Sequence, residues 1–285
     1  MKIYIDGNYY DPKDATVSVF DHGLLYGDGI FEGIRIYHGN IFKLREHLIR
    51  LYESATALML DIGMSIDSLE AAVRDTVRIN NRANGYIRLV VTRGEGTLGV
   101  DPSSCKKACI IIITGDIQLY PQENYTLGIS LITSSYRRIP VDCFDVRVKS
   151  LNYLNNVLAK IEARQAGCQE SIMLNNSGHV AECTGDNIFI VKNGKLLTPA
   201  PYEGALNGIT RQTVLELAES LGISTAETIL TRFDLYTADE CFLTGTGAEI
   251  IPAVNIDKRS IGKGSPGPVT LKIADSFLSY VESVS

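Results

Sequence analysis

The chain has 285 residues, 45% of them apolar and 21% charged, which matches soluble globular proteins and excludes disordered, collagen-like and heavily charged classes. That length can bury a sizeable core and suits one large or two medium domains; two are expected. Lys and Arg number 27 against 33 Asp and Glu, a net charge of −6 with no Lys/Arg run of five or more, so the sequence carries no electrostatic footprint for nucleic acid or an anionic membrane.

The first segment, KIYIDG, reads as a strand closed by a turn at Asp6-Gly7-Asn8, and the same turn interrupts any signal-peptide apolar stretch. ATVSVFDHG (15–23) and residues 27–37 read as further strands, the second ending at His38-Gly39-Asn40. Over 43–59 the apolar residues Leu44, Leu48, Leu51 and Ala55 recur at helical spacing, and over 68–79 Leu69, Ala72, Val73 and Val77 do the same. Strands are expected at 86–94 and 108–115, the second suited to cover on both faces; its apolar run is far too short to span a bilayer. A soluble, cytoplasmic protein with no membrane partner is expected.

Residues 116–124, DIQLYPQEN, are polar, contain Pro121 and separate two apolar strands, so the boundary falls there: a small domain over 1–117, a linker over 118–124 and a large domain over 125–285. The second half predicts strands at 127–133 and 146–149 (VRVK). A helix over 153–165 follows, with Leu154, Val157, Leu158 and Ile161 on one face and Gly167 as its stop. Strands are expected at 170–175, 187–192 and 195–198, the last two joined through Asn193-Gly194. A helix over 210–221 ends at Gly222, a strand covers 240–244 and a last helix covers 269–280. The class is α+β, without internal repeats or low-complexity segments.

The six cysteines form no C-x-x-C pair and the four histidines show no compact ligand spacing, so reduced thiols and no metal site are expected. Gly94-Glu95-Gly96-Thr97-Leu98-Gly99 matches G-x-G-x-x-G, but Pro102 opposes the helix that would make it a dinucleotide site, and a loop is the reading. Gly208-Ile209-Thr210-Arg211 opens an amphipathic helix and can cup an anion on free backbone N–H groups; an ordinary N-cap role for Thr210 is the plainer alternative. Gly245-Thr246-Gly247-Ala248 is a second small-residue turn of the same kind. Lys149, at the end of VRVK, is either a solvated lysine or an amine at a strand terminus, and Glu182, Arg35 and Arg50 are individually weak signals.

Together, six segments in register resemble the fold-type IV pyridoxal-phosphate enzymes: YGDGIFEGIRIY (26–37), FKLREHLIRL (42–51), KSLNYLNNVLAK (149–160), ESIMLNNSGHVAECTGDNIF (170–189), NGITR (207–211) and DECFLTGTGAEIIP (239–252). That group comprises branched-chain aminotransferases, D-amino acid transaminases and aminodeoxychorismate lyase, and the resemblance covers nearly the whole chain. It implies a two-domain α+β fold with a small N-terminal and a larger C-terminal domain and the cofactor, pyridoxal 5′-phosphate, between them. It further implies at least a homodimer.

The resemblance implies that Lys149 holds the cofactor as a Schiff base and, once freed, moves the proton; Lys160, further along, is a decoy. Glu182 would pair with the pyridine nitrogen, Tyr153 with the phenolic oxygen, and Leu206 would pack on the ring. Arg50, the Ile209 and Thr210 amides and Thr246 would hold the phosphate. Tyr86-Ile87-Arg88 looks like the branched-chain type, in which Tyr86 and the Thr246-Gly247 amides take the α-carboxylate and Arg88 the distal carboxylate of glutamate. Tyr26, Phe31 and Gly33 would line an apolar pocket, Tyr26 across a dimer interface. D-amino acid transaminases carry an R-x-H clamp where this chain has GEGTLGV, which favours L-amino acids, whereas the four-position step from Lys149 to Tyr153 is the D-enzyme spacing. The implied activity is ping-pong transamination of leucine, isoleucine or valine with 2-oxoglutarate in branched-chain amino acid biosynthesis. The alternative is a D-amino acid transaminase or a lyase of the same fold.

Overall fold

A computed structural model describes residues 1–283. The chain divides into two compact units, one holding Met1–Ile117 with Val148–Asn152, the other Gln118–Arg147 with Tyr153–Val281.

The first unit contains β1 (Ile3–Ile5), β2 (Asn8–Tyr10), α1 (His22–Tyr26), β3 (Gly29–Tyr37), β4 (Asn40–Ile41), α2 (Leu44–Ala57), α3 (Ile66–Ile79), β5 (Gly85–Thr92) and β6 (Cys109–Gly115). Its strands form one antiparallel sheet in the order β2-β1-β6-β5-β3-β4. Alternation decides the two faces. Ile30, Ile34, Ile36, Ile87, Leu89, Val91, Ile110 and Ile112 are buried together with Leu44, Leu48 and Leu51 of α2 and Leu69, Val73 and Val77 of α3. The register pairs Phe31 with Val90, Gly33 with Arg88, and Arg88 with Ile113, so these residues share the other face. Strand β6 is therefore not covered on both faces as expected: Ile111 and Ile113 are half-buried, because both helices pack on the core side.

The second unit contains α4 (Gln122–Leu127), β7 (Ile129–Arg137), α5 (Leu154–Gln165), β8 (Glu170–Leu174), β9 (Val180–Cys183), β10 (Asn187–Lys192) and β11 (Lys195–Thr198). They are followed by α6 (Ile209–Ser220), β12 (Thr225–Glu227), α7 (Arg232–Tyr236), β13 (Glu240–Gly245), β14 (Glu249–Ile256), β15 (Arg259–Ser260) and most of α8 (Pro268–Ser283). The sheet runs β12-β11-β10-β13-β14-β7-β8-β9, mixed in direction, with β15 on β14. Strands β8, β9, β10 and β13 are buried almost end to end, which explains their near-continuous apolar sequence. Phe189 and Phe242, directly paired, stack at 5.1 Å between centroids.

Several elements differ from expectation for local reasons. ATVSVFDHG is not a strand: Asp21 caps α1 through Gly23 N–H and also accepts from Thr92 Oγ1, which commits the segment to a helix start. VRVK is a turn rather than a strand. Instead of a linker, 118–124 groups with the second unit, and Pro121 is the N-cap of α4. Val148–Asn152, expected in the second domain, groups with the first. Phe31 N–H donates to Lys149 O at 3.0 Å, Leu151 N–H to Gly29 O at 2.9 Å and Lys149 N–H to Ser54 Oγ at 3.2 Å. On α5, Leu154, Val157 and Ile161 are exposed while Asn156, Ala159 and Ala163 are buried, because the small side chains let the helix lie close on β7 and β8.

Candidate active site

In the first unit, one sheet face collects five of the residues singled out above. The Arg88 guanidinium lies 4.6 Å from the centroid of the Phe31 ring and 5.5 Å from that of Tyr86. Lys149 Nζ lies 4.5 Å from the same Phe31 centroid, so the ring carries two cations by attraction to its π face. Gly33 sits between them by necessity: a Cβ there would fall 1.8 Å from Tyr86 Oη. Half-buried Val90, Ile111 and Ile113 continue this face as an apolar wall. Lys149 is placed by backbone bonding to the start of β3 and to Ser54 of α2, not by a strand of its own. Tyr26 ends α1, partly exposed, with its ring edge-on to His22 at 4.9 Å.

Arg50 is not on that face. It reaches from α2 to Glu32 on the core side of β3, its Nε donating to Oε1 at 2.8 Å and its Nη2 to Oε2 at 2.7 Å. His47, one turn earlier on the same helix, joins Oε2 through Nδ1 at 2.8 Å. Burial pushes the Glu32 carboxyl up, but the Arg50 charge and His47 override it and hold the group well below the usual carboxylate range. Burial lowers the His47 proton affinity, so its imidazole is neutral near pH 7.

In the second unit, Glu182 of β9 is buried and paired with Arg138, whose Nε lies 3.0 Å and Nη2 2.9 Å from Oε1; Oε2 accepts the Leu206 N–H at 2.8 Å. Arg138 is itself fixed by the Asn155 and Asn156 side-chain oxygens at 3.2 and 3.0 Å. Tyr153, half-buried, is the N-cap residue of α5. Lys160, by contrast, is tied to Glu170 at 2.8 Å and to the Gln169 carbonyl.

The two anion cups meet at the start of β10. Asn187 Nδ2 donates to Leu206 O at 2.8 Å, and a Cβ on Gly208 would fall 2.2 Å from Asn187 Oδ1, so only glycine lets the segment before α6 approach so closely. Asn187 pairs across the ladder with Thr244, one residue before Gly245, which lies against Asp186. The N-cap of α6 is Gly208, not Thr210, and no side chain caps it, so the first-turn N–H groups of Ile209 and Thr210 have no capping oxygen. Thr246 and Gly247 occupy the turn between β13 and β14, and the hydroxyl of nearby Thr244 is buried without a partner among the described residues. An uncapped helix start, a small-residue turn and an orphan hydroxyl fit a phosphate monoester.

A family model described as amino-transferase class IV matches residues 29–256. The chain belongs to the class IV aminotransferases. This aminotransferase is 53% identical over 277 residues to a Methanocaldococcus jannaschii protein provisionally named a branched-chain-amino-acid aminotransferase, covering 97% of this chain and 95% of the relative. It is 39% identical over 281 residues to the branched-chain-amino-acid aminotransferase of Escherichia coli K12, covering 96% and 91%. Among solved structures, the E. coli branched-chain amino acid aminotransferase superposes with a TM-score of 0.95 at 38% identity, covering 98% of this chain and 93% of that one. The branched-chain aminotransferase of the archaeon Thermoproteus uzoniensis with norvaline gives 0.94 at 38% identity, covering 100% and 96%. The fold of the aminotransferase is therefore the two-domain fold-type IV architecture.

Sequence reasoning missed Glu32, His47 and Arg138 and the wall formed by Val90, Ile111 and Ile113. His47 and Arg50 stand three apart on a predicted helix and Glu32 alternates with Phe31 and Gly33, so the triad had a signal in the periodicity. Arg138 lies in irregular chain and had none. Among the described residues no group of three or more His, Cys, Asp or Glu is placed to hold a metal ion, and no helix is long and apolar enough to cross a membrane.

Proposed function

We propose that this aminotransferase moves the amino group of leucine, isoleucine or valine to 2-oxoglutarate in two ping-pong half-reactions, with pyridoxal 5′-phosphate attached at Lys149 Nζ. The observation that carries the reading is the face of the first unit's sheet on which an amine, an aromatic and aliphatic wall and a guanidinium sit side by side, on Phe31, Tyr86, Arg88 and Lys149. A site that takes both an apolar chain and a dicarboxylate needs those three chemistries together. The names of the relatives support the substrate class. Solved branched-chain aminotransferase structures with N-(5′-phosphopyridoxyl)-L-glutamate and with 4-methylvaleric acid, 37% and 38% identical to this chain, support the cofactor and the two kinds of side chain.

The cofactor, when bound, supplies an electron sink for the charge left at the substrate Cα. Lys149 Nζ takes up the proton released from that Cα, with its ammonium form held over the Phe31 ring. Arg88 receives the distal carboxylate of the acceptor acid, while Tyr86 and the Thr246 and Gly247 N–H groups receive the α-carboxylate. Phe31, Gly33 and Tyr26 line the space for a branched aliphatic chain. Glu182, paired with Arg138, would face the pyridine nitrogen and favour its protonated form; Tyr153 would bond the phenolic oxygen and Leu206 would pack on the ring. Arg50, the Ile209 and Thr210 N–H groups and Thr246 hold the phosphate. Exposed Val19, Phe20 and Leu24 support assembly as at least a homodimer, which sedimentation would test.

The test is the near-ultraviolet and visible spectrum of the cofactor-loaded protein before and after L-leucine. Conversion to the aminated cofactor, reversed by 2-oxoglutarate, is the expected result. Conversion by D-alanine and not by L-leucine would replace this reading with a D-amino acid transaminase.

A further inference from the structure

Arg50 lies in the core of the first unit already neutralised. Glu32, fully buried, covers the Nε/Nη2 edge of the guanidinium with both carboxylate oxygens, and His47 adds a third bond to Oε2. The His47 side chain is 1% exposed, and its Nε2 has no partner among the described residues. With His47 neutral, the charges of Arg50 and Glu32 cancel. For an arginine whose task is to hold a phosphate dianion this is unexpected, because a carboxylate on its other edge repels the ligand. The cofactor-free protein resolves the conflict: a buried guanidinium left without an anion is strongly destabilising, whereas a complete ion pair is not.

We infer that Glu32 is a built-in counter-ion for Arg50 that stands in for the phosphate, keeping the cofactor-free chain folded while loosening the grip on the phosphate, with His47 holding Glu32 in place. The inference rests on the assignment of Arg50 to the phosphate made above. It also sets a sign. If Glu32 served only to orient Arg50, removing its charge would weaken phosphate binding; as a counter-ion, its removal must tighten it.

The experiment measures thermal midpoints and affinities of the full-length apoprotein with pyridoxal 5′-phosphate, with pyridoxal and with inorganic phosphate. Pyridoxal lacks the phosphate but reaches the same lysine, so the preference between the two aldehydes isolates the phosphate contact. Glu32→Gln should lower the midpoint of the apoprotein. Phosphate and the phosphorylated cofactor should restore it and pyridoxal should not, and the preference for the phosphorylated aldehyde should rise about tenfold. A preference that falls or stays at the wild-type value overturns the inference. Should Glu32→Gln fail to fold without cofactor, the double variant Glu32→Gln/Arg50→Met decides: it should fold as the wild type does, with a phosphate response weaker than that of the wild type, and failure to fold would overturn the inference. His47→Leu should move the preference in the same direction by about threefold, as expected for the loss of one buried hydrogen bond. Arg50→Met alone separates the phosphate assignment from the counter-ion role. Wild-type preference in that variant removes Arg50 from the phosphate site and the inference with it; a lost preference there without a rise in Glu32→Gln overturns the counter-ion role alone.

Discussion

Glu32 and Glu182 are both buried carboxylates paired with an arginine, one in each unit, and their remaining partners differ. Glu32 is surrounded by side-chain donors from α2: two bonds from Arg50 and one from His47. Glu182 turns one oxygen to Arg138 and offers the other to a single backbone N–H, that of Leu206, at 2.8 Å. A carboxylate oxygen accepts two hydrogen bonds, so each glutamate keeps one oxygen with room for a second donor; access separates them, since the Glu32 side chain is fully buried and that of Glu182 is 7% exposed. Neither the ion pair nor the open acceptor distinguishes the two carboxylates; only the exposure of the side chain does. On the far side of β3 from Glu32 the first unit carries cations instead, where Arg88 and Lys149 lie over the Phe31 ring.

The largest expected effect is at the amine of the first unit. Lys149→Ala should reduce transamination by roughly ten-thousand-fold or more, since both the attachment point and the proton-transferring base are lost, while phosphate-anchored cofactor binding stays measurable by fluorescence. Wild-type turnover in that variant would remove Lys149 from its role. Glu182→Gln sharpens the contrast with Glu32. It should lower kcat by about 100- to 1000-fold, as when one preorganised electrostatic group is removed, and should also lower the thermal midpoint, because buried Arg138 loses its anion. A large loss of stability with kcat intact would make Glu182 a counter-ion for Arg138, like Glu32 for Arg50.

Arg88 tests the cationic side of the comparison. Arg88→Ala should raise KM for 2-oxoglutarate by about 10- to 150-fold, the loss expected for a charge-assisted contact of roughly 1.5–3 kcal/mol, and should leave leucine much less affected. Steady-state kinetics on each substrate separately checks this. Equal losses on both would assign Arg88 to packing against Phe31 and Tyr86.

The helical period of α2 was legible from the sequence, but the two faces of the first sheet were not, since β6 read as a strand covered on both, and neither was what bridges sheet and helix. Arg50 read as one buried arginine among several because the partner that neutralises it, Glu32, is eighteen positions away and shares its face only once β3 pleats. ATVSVFDHG has strand composition, yet one side-chain bond from Asp21 converts its end into the start of α1. Lys149 was found through its neighbours in sequence, whereas its position comes from two backbone bonds between its segment and β3 and from its N–H donating to the Ser54 hydroxyl of α2. The cups before α6 and after β13 were visible as glycine-rich turns; that they meet at Asn187 follows from the β10–β13 register, a long-range pairing with no local signal. Strands β9 and β14 were missed for a related reason, since their burial on both sides removes the alternation that reveals a strand.

The smallest expected effect sets the pH dependence of the two units against each other. Glu32 has a folded proton affinity below its ordinary value, so its stabilisation is complete above about pH 4.5 and is lost as pH falls through the lowered value. Asp186 is the reverse case. Burial, then the Glu170 charge, pushes it up to about 7, against the smaller opposing pull of Lys160 and of the Tyr120 hydroxyl, which donates to it at 3.1 Å. The protonated form is thus favoured in the fold, and the stability it contributes is present below the ordinary aspartate value of 3.8 and is lost as pH rises through about 7. Acid should loosen amide exchange protection around β3 and α2 first, and a rise in pH from about 4 to 7 should loosen it around the start of β10. Asp186→Asn, which keeps the shape and cannot ionise, should remove up to about 1.4 kcal/mol of decline per pH unit from the second unit between pH 4 and 7, without altering the acid response of the first. Hydrogen exchange of the wild type and the variant from well below pH 4.5 up to about pH 7 reads both units in one experiment. An unchanged decline between pH 4 and 7 in Asp186→Asn would mean that the carboxyl ionises in the fold at its ordinary pH, and that the Tyr120 bond and the Gly245 turn tolerate its charge.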